Sequence, residues 1–396
     1  MKLSLTTNEN FHLAKQINQL PQNLICFSHL RWDFVFQRPQ HLLSRLSKSF
    51  NIFFIEEPIC EPIEQEYYTF SKRDKNLWVM VPHLPEGLGH EKNVELQKHM
   101  FNRFMENKLT EDYIFWYYTP IALQFSGDHD PKVTVYDCMD ELSAFKFAPA
   151  ELPQLEKTLM AKADVVFTGG HSLYEAKKHQ HANIYPFPSS IDKKHFQKAR
   201  EVKTCPEDQI NTTQPKLGFY GVIDERFDID LIKGIADARP DWQIILIGPV
   251  VKINPDSLPK NKNIHYLGPK SYQELPSYMA TWDIALIPFQ LNESTRFISP
   301  TKTPEYLAAG LPVISTPIRD VVNPYGKNNL VHIGSNADDF VAAAEKELSS
   351  TSKEKEAWQL KADTFLASNS WDKTCENMMS IIAKAAYKNS YMPIAQ

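Results

Sequence analysis

The 396-residue chain lacks the features that would place it in several large classes at once. It has no excess of positive charge. Its formal net charge is −5, which argues against a general electrostatic affinity for nucleic acid. It has no cysteine pattern. Cys26, Cys60, Cys138, Cys205 and Cys375 are scattered, odd in number and never spaced as C-x-x-C. That speaks against a disulfide frame and a cysteine zinc site, and for a reducing compartment. No apolar run approaches the length of a membrane span. The opening stretch MKLSLTTNENFHLAKQINQL lacks the apolar core of a signal peptide. The expected location is the cytoplasm, with peripheral contact at the inner face of the membrane left open. Short-period repeats and low-complexity segments are absent too.

What is present is an alternation. NLICFSH, NIFFIEE, NLWVMVP, YIFWYY, KVTVYD and DVVFTG are short apolar runs that read as strands buried on both faces. Amphipathic segments such as QRPQHLLSRLSKSF and LPQLEKTLMAKA lie between them. Strands alternating with helices imply βαβ units and a parallel sheet. Residues 198–215 are polar and aperiodic and read as a linker. A second series follows, with KLGFYGVID, WQIILIGP, NIHYLGP, DIALIPF and LPVIST as strands. The length suits two domains. The expectation is an α/β protein of two Rossmann-like domains facing across a cleft. The first covers residues 1–197 and the second 216–370, and a C-terminal helix over 371–396 crosses back to the first. Ligands of open α/β sheets bind beyond the carboxyl ends of the strands, so the cleft is the expected site.

SPTKTPEYLAAGLPVIST, residues 299–316, raises a specific question. Thr303 and Pro304 read as a helix start and Gly310 as its end. Lys302 then sits where the helix dipole is already positive, so an anion is expected beside it. Arg226 lies in another strand-to-helix turn, in KLGFYGVIDERFDIDLI, after Gly221. Two cations and two helix N-termini suit a diphosphate. Glu305, in the first turn of its helix, suits two adjacent ribose hydroxyls. Asp228-Ile229-Asp230 has the spacing of a metal-binding D-x-D. It opens a helix, so capping explains it and no metal is expected.

The run Pro300 to Val313, PTKTPEYLAAGLPV, resembles the donor-binding segment of glycosyltransferases with the two-domain GT-B fold, nearest to the family-4-like retaining enzymes. RWDFVFQRPQHLLSRL and VYDCMDELSAF extend the likeness to a bacterial surface-polysaccharide subgroup of the teichuronic-acid type. The resemblance implies a nucleotide diphosphate sugar donor, with UDP or GDP as the carrier, and no required cofactor. Glu305 would hold the ribose. Pro300, Thr301 and Thr303 would face the diphosphate, and Arg226 and Lys302 would neutralise the leaving nucleotide. Gly268, in HYLGPKSYQEL, would meet the base. One position departs from the family: the first glutamate of its Glu-x7-Glu motif falls at Phe297.

On the other wall, Asp137 and Asp140 are the candidates for the catalytic side, with helix capping as the alternative for Asp137. As a carboxylate pair they would also suit glycoside hydrolysis, which leaves the phosphate-binding features without purpose. His29 and Arg38 are candidates for the acceptor side, and the acceptor is a glycan or a lipid-linked sugar. Two rival readings remain at this level: a nucleotide-sugar epimerase of the same fold, and a noncatalytic partner that keeps it.

Overall fold

In the computed structural model, which describes residue 17, residues 19–202 and residues 204–391, the apolar runs form two separate sheets. The stretch read for a signal peptide falls almost wholly outside the described residues. The first sheet contains β1 (Asn23–Phe27), β2 (Asn51–Ile55), β3 (Ile59–Glu61), β4 (Tyr67–Asp74), β5 (Leu77–Pro85), β6 (Tyr113–Tyr117), β7 (Val133–Cys138), β8 (Val165–Thr168) and β9 (Ile184–Pro186). Its order is β3-β5-β2-β1-β6-β7-β8-β9, all parallel, with β4 antiparallel on β5. The second contains β10 (Lys216–Tyr220), β11 (Gln243–Ile247), β12 (Ile264–Tyr266), β13 (Ile284–Ile287), β14 (Val313–Ser315) and β15 (Val331–Ile333), ordered β12-β11-β10-β13-β14-β15 and parallel throughout.

Both central strands, β1 and β10, are enclosed on all sides. NLICF and KLGFY are buried along almost their whole length. Strands covered on both faces carry continuous apolar runs, which is why the sequence announces them. β3, β4, β9 and β15 are short or lie at edges, and their exposed residues break the apolar pattern.

Each sheet changes direction at its first strand. β1 has β2 on one side and β6 on the other; β10 has β11 and β13. The loops leaving β1, β10 and β13 therefore open at topological switch points, where a crevice forms. Five helices carry the residues considered below: α1 (Arg38–Leu46), α2 (His171–Lys177), α3 (Ile229–Ala238), α4 (Lys302–Ala309) and α5 (Trp371–Tyr391).

α5 packs against the first sheet. Trp371, Met378 and Ile382 share a core with Leu24, Leu42 and Val135. The polar stretch 198–215 is pinned to the second sheet's side. The buried Gln209 accepts a hydrogen bond from Trp282 Nε1 at 3.0 Å, and Arg200 pairs with Asp363 at 2.9 Å. No helix among the described residues is long and apolar enough to cross a membrane.

Candidate active site

The loops at the two switch points face each other across a cavity of about 410 Å³. Trp32, Phe36, Gln40 and Asp140 contribute one wall; Gly221, Arg226, Lys302 and Glu305 contribute the other. That volume lies in the range of small-molecule sites.

α4 begins two residues earlier than the sequence suggests. Thr301, not Thr303, is its N-cap, and Lys302 is its first residue. Pro304 is accommodated in the first turn because the N–H groups there have no intrahelical partner to lose. Gly310 ends the helix in the left-handed conformation, φ 88°. Thr303 is fully buried, and its hydroxyl has no hydrogen bond.

Lys302 thus sits on the positive end of α4. Its Nζ lies 5.7–5.9 Å from the ring centres of Phe219, Tyr220 and Phe289, a site lined by aromatic faces. Among the described residues it makes no ion pair. Burial lowers its pKa to about 8, with Glu305 opposing the shift. Gly221 makes room for it: a Cβ there would stand 2.3 Å from Lys302 Cε, and φ is 143°. Any side chain at Gly221 would collide with the lysine and strain the backbone.

Glu305, 5 % exposed, accepts a hydrogen bond from the Tyr220 hydroxyl. Burial raises its pKa, and Tyr220 and Lys302 both oppose this. Arg226 is also in the wall but is not a free cation. Its Nε contacts both Asp224 oxygens at 3.0 and 3.1 Å, and a terminal nitrogen reaches Oδ2 at 2.6 Å. Pro300 and Thr301 line the cavity. Gly268 stands outside the lining, with its carbonyl accepting from Gly248 N at 2.9 Å; Pro269, next to it, is in the lining. Asp228 caps α3, accepting from Leu231 N at 2.9 Å.

The first-domain candidates separate. Asp140 lines the cavity, and burial pushes it up to about 6 against the pull of Arg226 and Arg38. Asp137 does not reach the cavity. It is fully buried and paired with Arg38, which is itself 1 % exposed, through contacts of 2.8 to 3.1 Å. A further bond runs from Arg38 to the Phe187 carbonyl at 2.7 Å. A buried carboxylate requires such a partner. Asp137 therefore belongs to the core beneath the wall, which corrects its catalytic reading, while Arg38, its partner, is itself in the cavity lining. His29, like Asp137, is outside the lining. Its Nδ1 is buried without a partner, and burial lowers its pKa to about 4.

Other site residues have no sequence signal. Tyr272 of the second domain stacks on Phe36 at 4.5 Å and on His195 at 4.2 Å, while His41 stacks on Trp371 at 4.6 Å. Phe145 of the first domain lies against Arg226 and Lys252 of the second, at 5.3 and 5.5 Å. Asp320 accepts from Ser172 N at 3.0 Å, at the start of α2, joining the two domains a second time. Each contact spans distant parts of the chain, and only the fold brings them together.

Comparisons with known proteins agree with this architecture. Residues 214–350 match the family model described as "Glycosyl transferases group 1". A segment of 138 residues is 33% identical to TuaH of Bacillus subtilis (strain 168), provisionally named as a teichuronic acid biosynthesis glycosyltransferase. That match covers 33% of this chain and spans about a third, 34%, of the curated relative. Among solved structures, a UDP-forming trehalose-phosphate synthase from Burkholderia xenovorans aligns with TM-score 0.65 and 10% identity, over 93% of this chain and 100% of that one. A sucrose-phosphate synthase from Thermosynechococcus elongatus aligns with TM-score 0.62 and 12% identity, over 93% and 97%. At these identities the likeness concerns the fold. The chain has the GT-B fold, and over residues 214–350 it matches the model of the group 1 glycosyl transferases.

Proposed function

We propose that the protein is a glycosyltransferase that moves a sugar from a nucleoside diphosphate sugar to a glycan or lipid-linked acceptor in surface-polysaccharide synthesis. The observation that carries this reading is Lys302. A cation with no ion-pair partner among the described residues is held at a helix N-terminus, in a cavity between two domains, beside a buried carboxylate. Desolvating a lysine is costly, and an anionic ligand offsets that cost. The TuaH match supports the polysaccharide context.

In this reading the diphosphate lies across the start of α4, against Lys302 and the Arg226–Asp224 pair. As the glycosidic bond to the nucleotide breaks, negative charge grows on the departing phosphate. Lys302 and the α4 N–H groups stabilise it there, a preorganised electrostatic contribution. Holding donor and acceptor together across the cavity supplies the rest. The proton of the attacking hydroxyl passes to the leaving phosphate, and the sugar keeps its anomeric configuration. Asp140 faces the reacting sugar from the opposite wall.

Thermal unfolding with UDP, GDP, dTDP and ADP tests the donor site. A nucleotide at 100 times its Kd adds about 2.7 kcal/mol of stability. A shift with one of them, lost in Lys302→Ala, is the expected result. Donor-sugar transfer to an acceptor, read by product analysis, separates transfer from epimerisation. The absence of any shift would favour a noncatalytic role.

A further inference from the structure

Tyr220 ends β10 at the switch point and lines the cavity. It is held from three directions. Its ring packs edge-on to Tyr306 at 5.2 Å and parallel to Phe196 at 6.4 Å. Its backbone N–H donates to the Tyr306 hydroxyl at 3.0 Å. Its own hydroxyl donates to Oε2 of Glu305. Oε1 of Glu305 has no hydrogen bond among the described residues, and the residue lines the cavity. One oxygen of a buried carboxylate is therefore fixed by a rigid tyrosine, while the other is left for a ligand.

We infer that Tyr220 is a positioning residue for ribose recognition: its hydroxyl sets the rotamer and favours the ionised form of Glu305, so that Oε1 accepts from a ribose hydroxyl. This rests on the donor-site reading above. An ionised carboxylate only accepts hydrogen bonds, which matches a diol that donates. Without the Tyr220 hydroxyl, burial acts on Glu305 with less opposition, and the acid protonates at a higher pH than in the wild type. The charged and titratable groups facing Glu305 are Lys302 on its own helix, Tyr220 on β10, the neighbouring Tyr306, and Tyr272 from the loop after β12. Lys302 titrates in both wild type and variant, so the ratio of their affinities isolates the tyrosine.

The experiment is calorimetric binding between pH 6 and 8.5. The probes are whichever of UDP, GDP and ADP the wild type takes up, and the 2′,3′-dideoxy form of the same nucleotide. Wild type, Tyr220→Phe and Glu305→Ala are compared. Tyr220→Phe keeps the ring and its packing, so it is the variant expected to fold. The expected result is about tenfold weaker ribonucleotide binding near pH 6, recovering toward wild type by pH 8.5, with little change for the dideoxy probe. Glu305→Ala should lose the ribo-to-dideoxy discrimination at every pH. Tyr220→Phe with wild-type discrimination and pH profile would overturn the inference alone. So would equal weakening toward both probes at every pH, which marks a merely structural role. A wild type that binds both probes equally would overturn this inference and leave the donor site standing, whereas one that binds no nucleotide would overturn the donor-site reading and this inference with it.

Discussion

Beneath the first-domain wall, charges are spent on each other. Arg38 and Asp137 close a pair beneath the surface, and Lys177 does the same with Glu141 and Glu156 at 2.8 and 2.7 Å. Across the cleft, Lys302 has no ion-pair partner among the described residues, and Glu305 has only Tyr220 as a hydrogen-bonding neighbour. Both walls bury ionisable groups at the ends of parallel strands. On the first, Arg38 and Lys177 are satisfied internally while Asp140 lines the cavity; on the second, Arg226 is paired with Asp224 and Lys302 is left available. Buried charges that satisfy each other serve the fold, whereas a desolvated cation left open makes sense chiefly as part of a binding site.

The largest expected effect comes from breaking the satisfied side. Asp137→Ala strands the Arg38 guanidinium in the core and should cost about 3–5 kcal/mol of stability. Replacing both partners by apolar residues, Arg38→Met with Asp137→Leu, should recover most of that loss. Denaturant unfolding checks both variants. A loss of under 1 kcal/mol in Asp137→Ala would mean that the pair is not structural, and the contrast between the walls would fail.

The open side should behave in the opposite way. Lys302→Met is expected to leave stability unchanged or raised, and to weaken nucleotide binding by roughly 1.5–3 kcal/mol. Its pH dependence sharpens the point. The folded pKa of Lys302 is lowered to about 8, below that of an unfolded lysine near 10.4. Between those values the unfolded chain holds more protons, so this group's contribution to stability rises with pH. Over the same window the lysine loses its charge, and nucleotide affinity falls. Stability and binding, each measured as wild type minus Lys302→Met, should therefore run in opposite directions above pH 8.

This contrast also explains what could be read from the sequence. The buried central strands were legible because apolar runs such as NLICF and KLGFY must be covered on both faces. Lys302 and Glu305 were legible because a helix dipole gives a local reason to notice them. Asp137 misled for the same physical reason that makes it stable. It lies 99 residues from Arg38, and nothing local shows that each neutralises the other. Tyr272, His41 and Phe145 were invisible because an aromatic ring carries no mark of whether it will fill a core or cross a cleft.

Asp320 tests the comparison where the walls meet. It belongs to the second domain, yet it bonds Ser172 of the first, through both the backbone N–H and the hydroxyl. Asp320→Ala should cost about 1–2 kcal/mol by leaving those donors unpaired. Nucleotide affinity should be unaffected, because Asp320 lies outside the cavity lining. Loss of nucleotide binding in a folded Asp320→Ala variant would show that the donor wall depends on contact with the first domain.

The smallest effect is the most informative about how the walls cooperate. Phe145 comes from the first domain and presents its ring to Arg226 and Lys252 of the second. Arg226 is already oriented by Asp224 within its own domain, so nucleotide binding should not need Phe145. Leucine at this position keeps the apolar contact and removes only the π face, which is worth about 0.5–1 kcal/mol. If the ring acts when the charge on the departing phosphate develops, Phe145→Leu should lower kcat by about 2- to 5-fold, the equivalent of that energy. Nucleotide Kd should stay at the wild-type value. A parallel loss of affinity would instead place Phe145 in ground-state binding, and the first wall would then share in holding the donor.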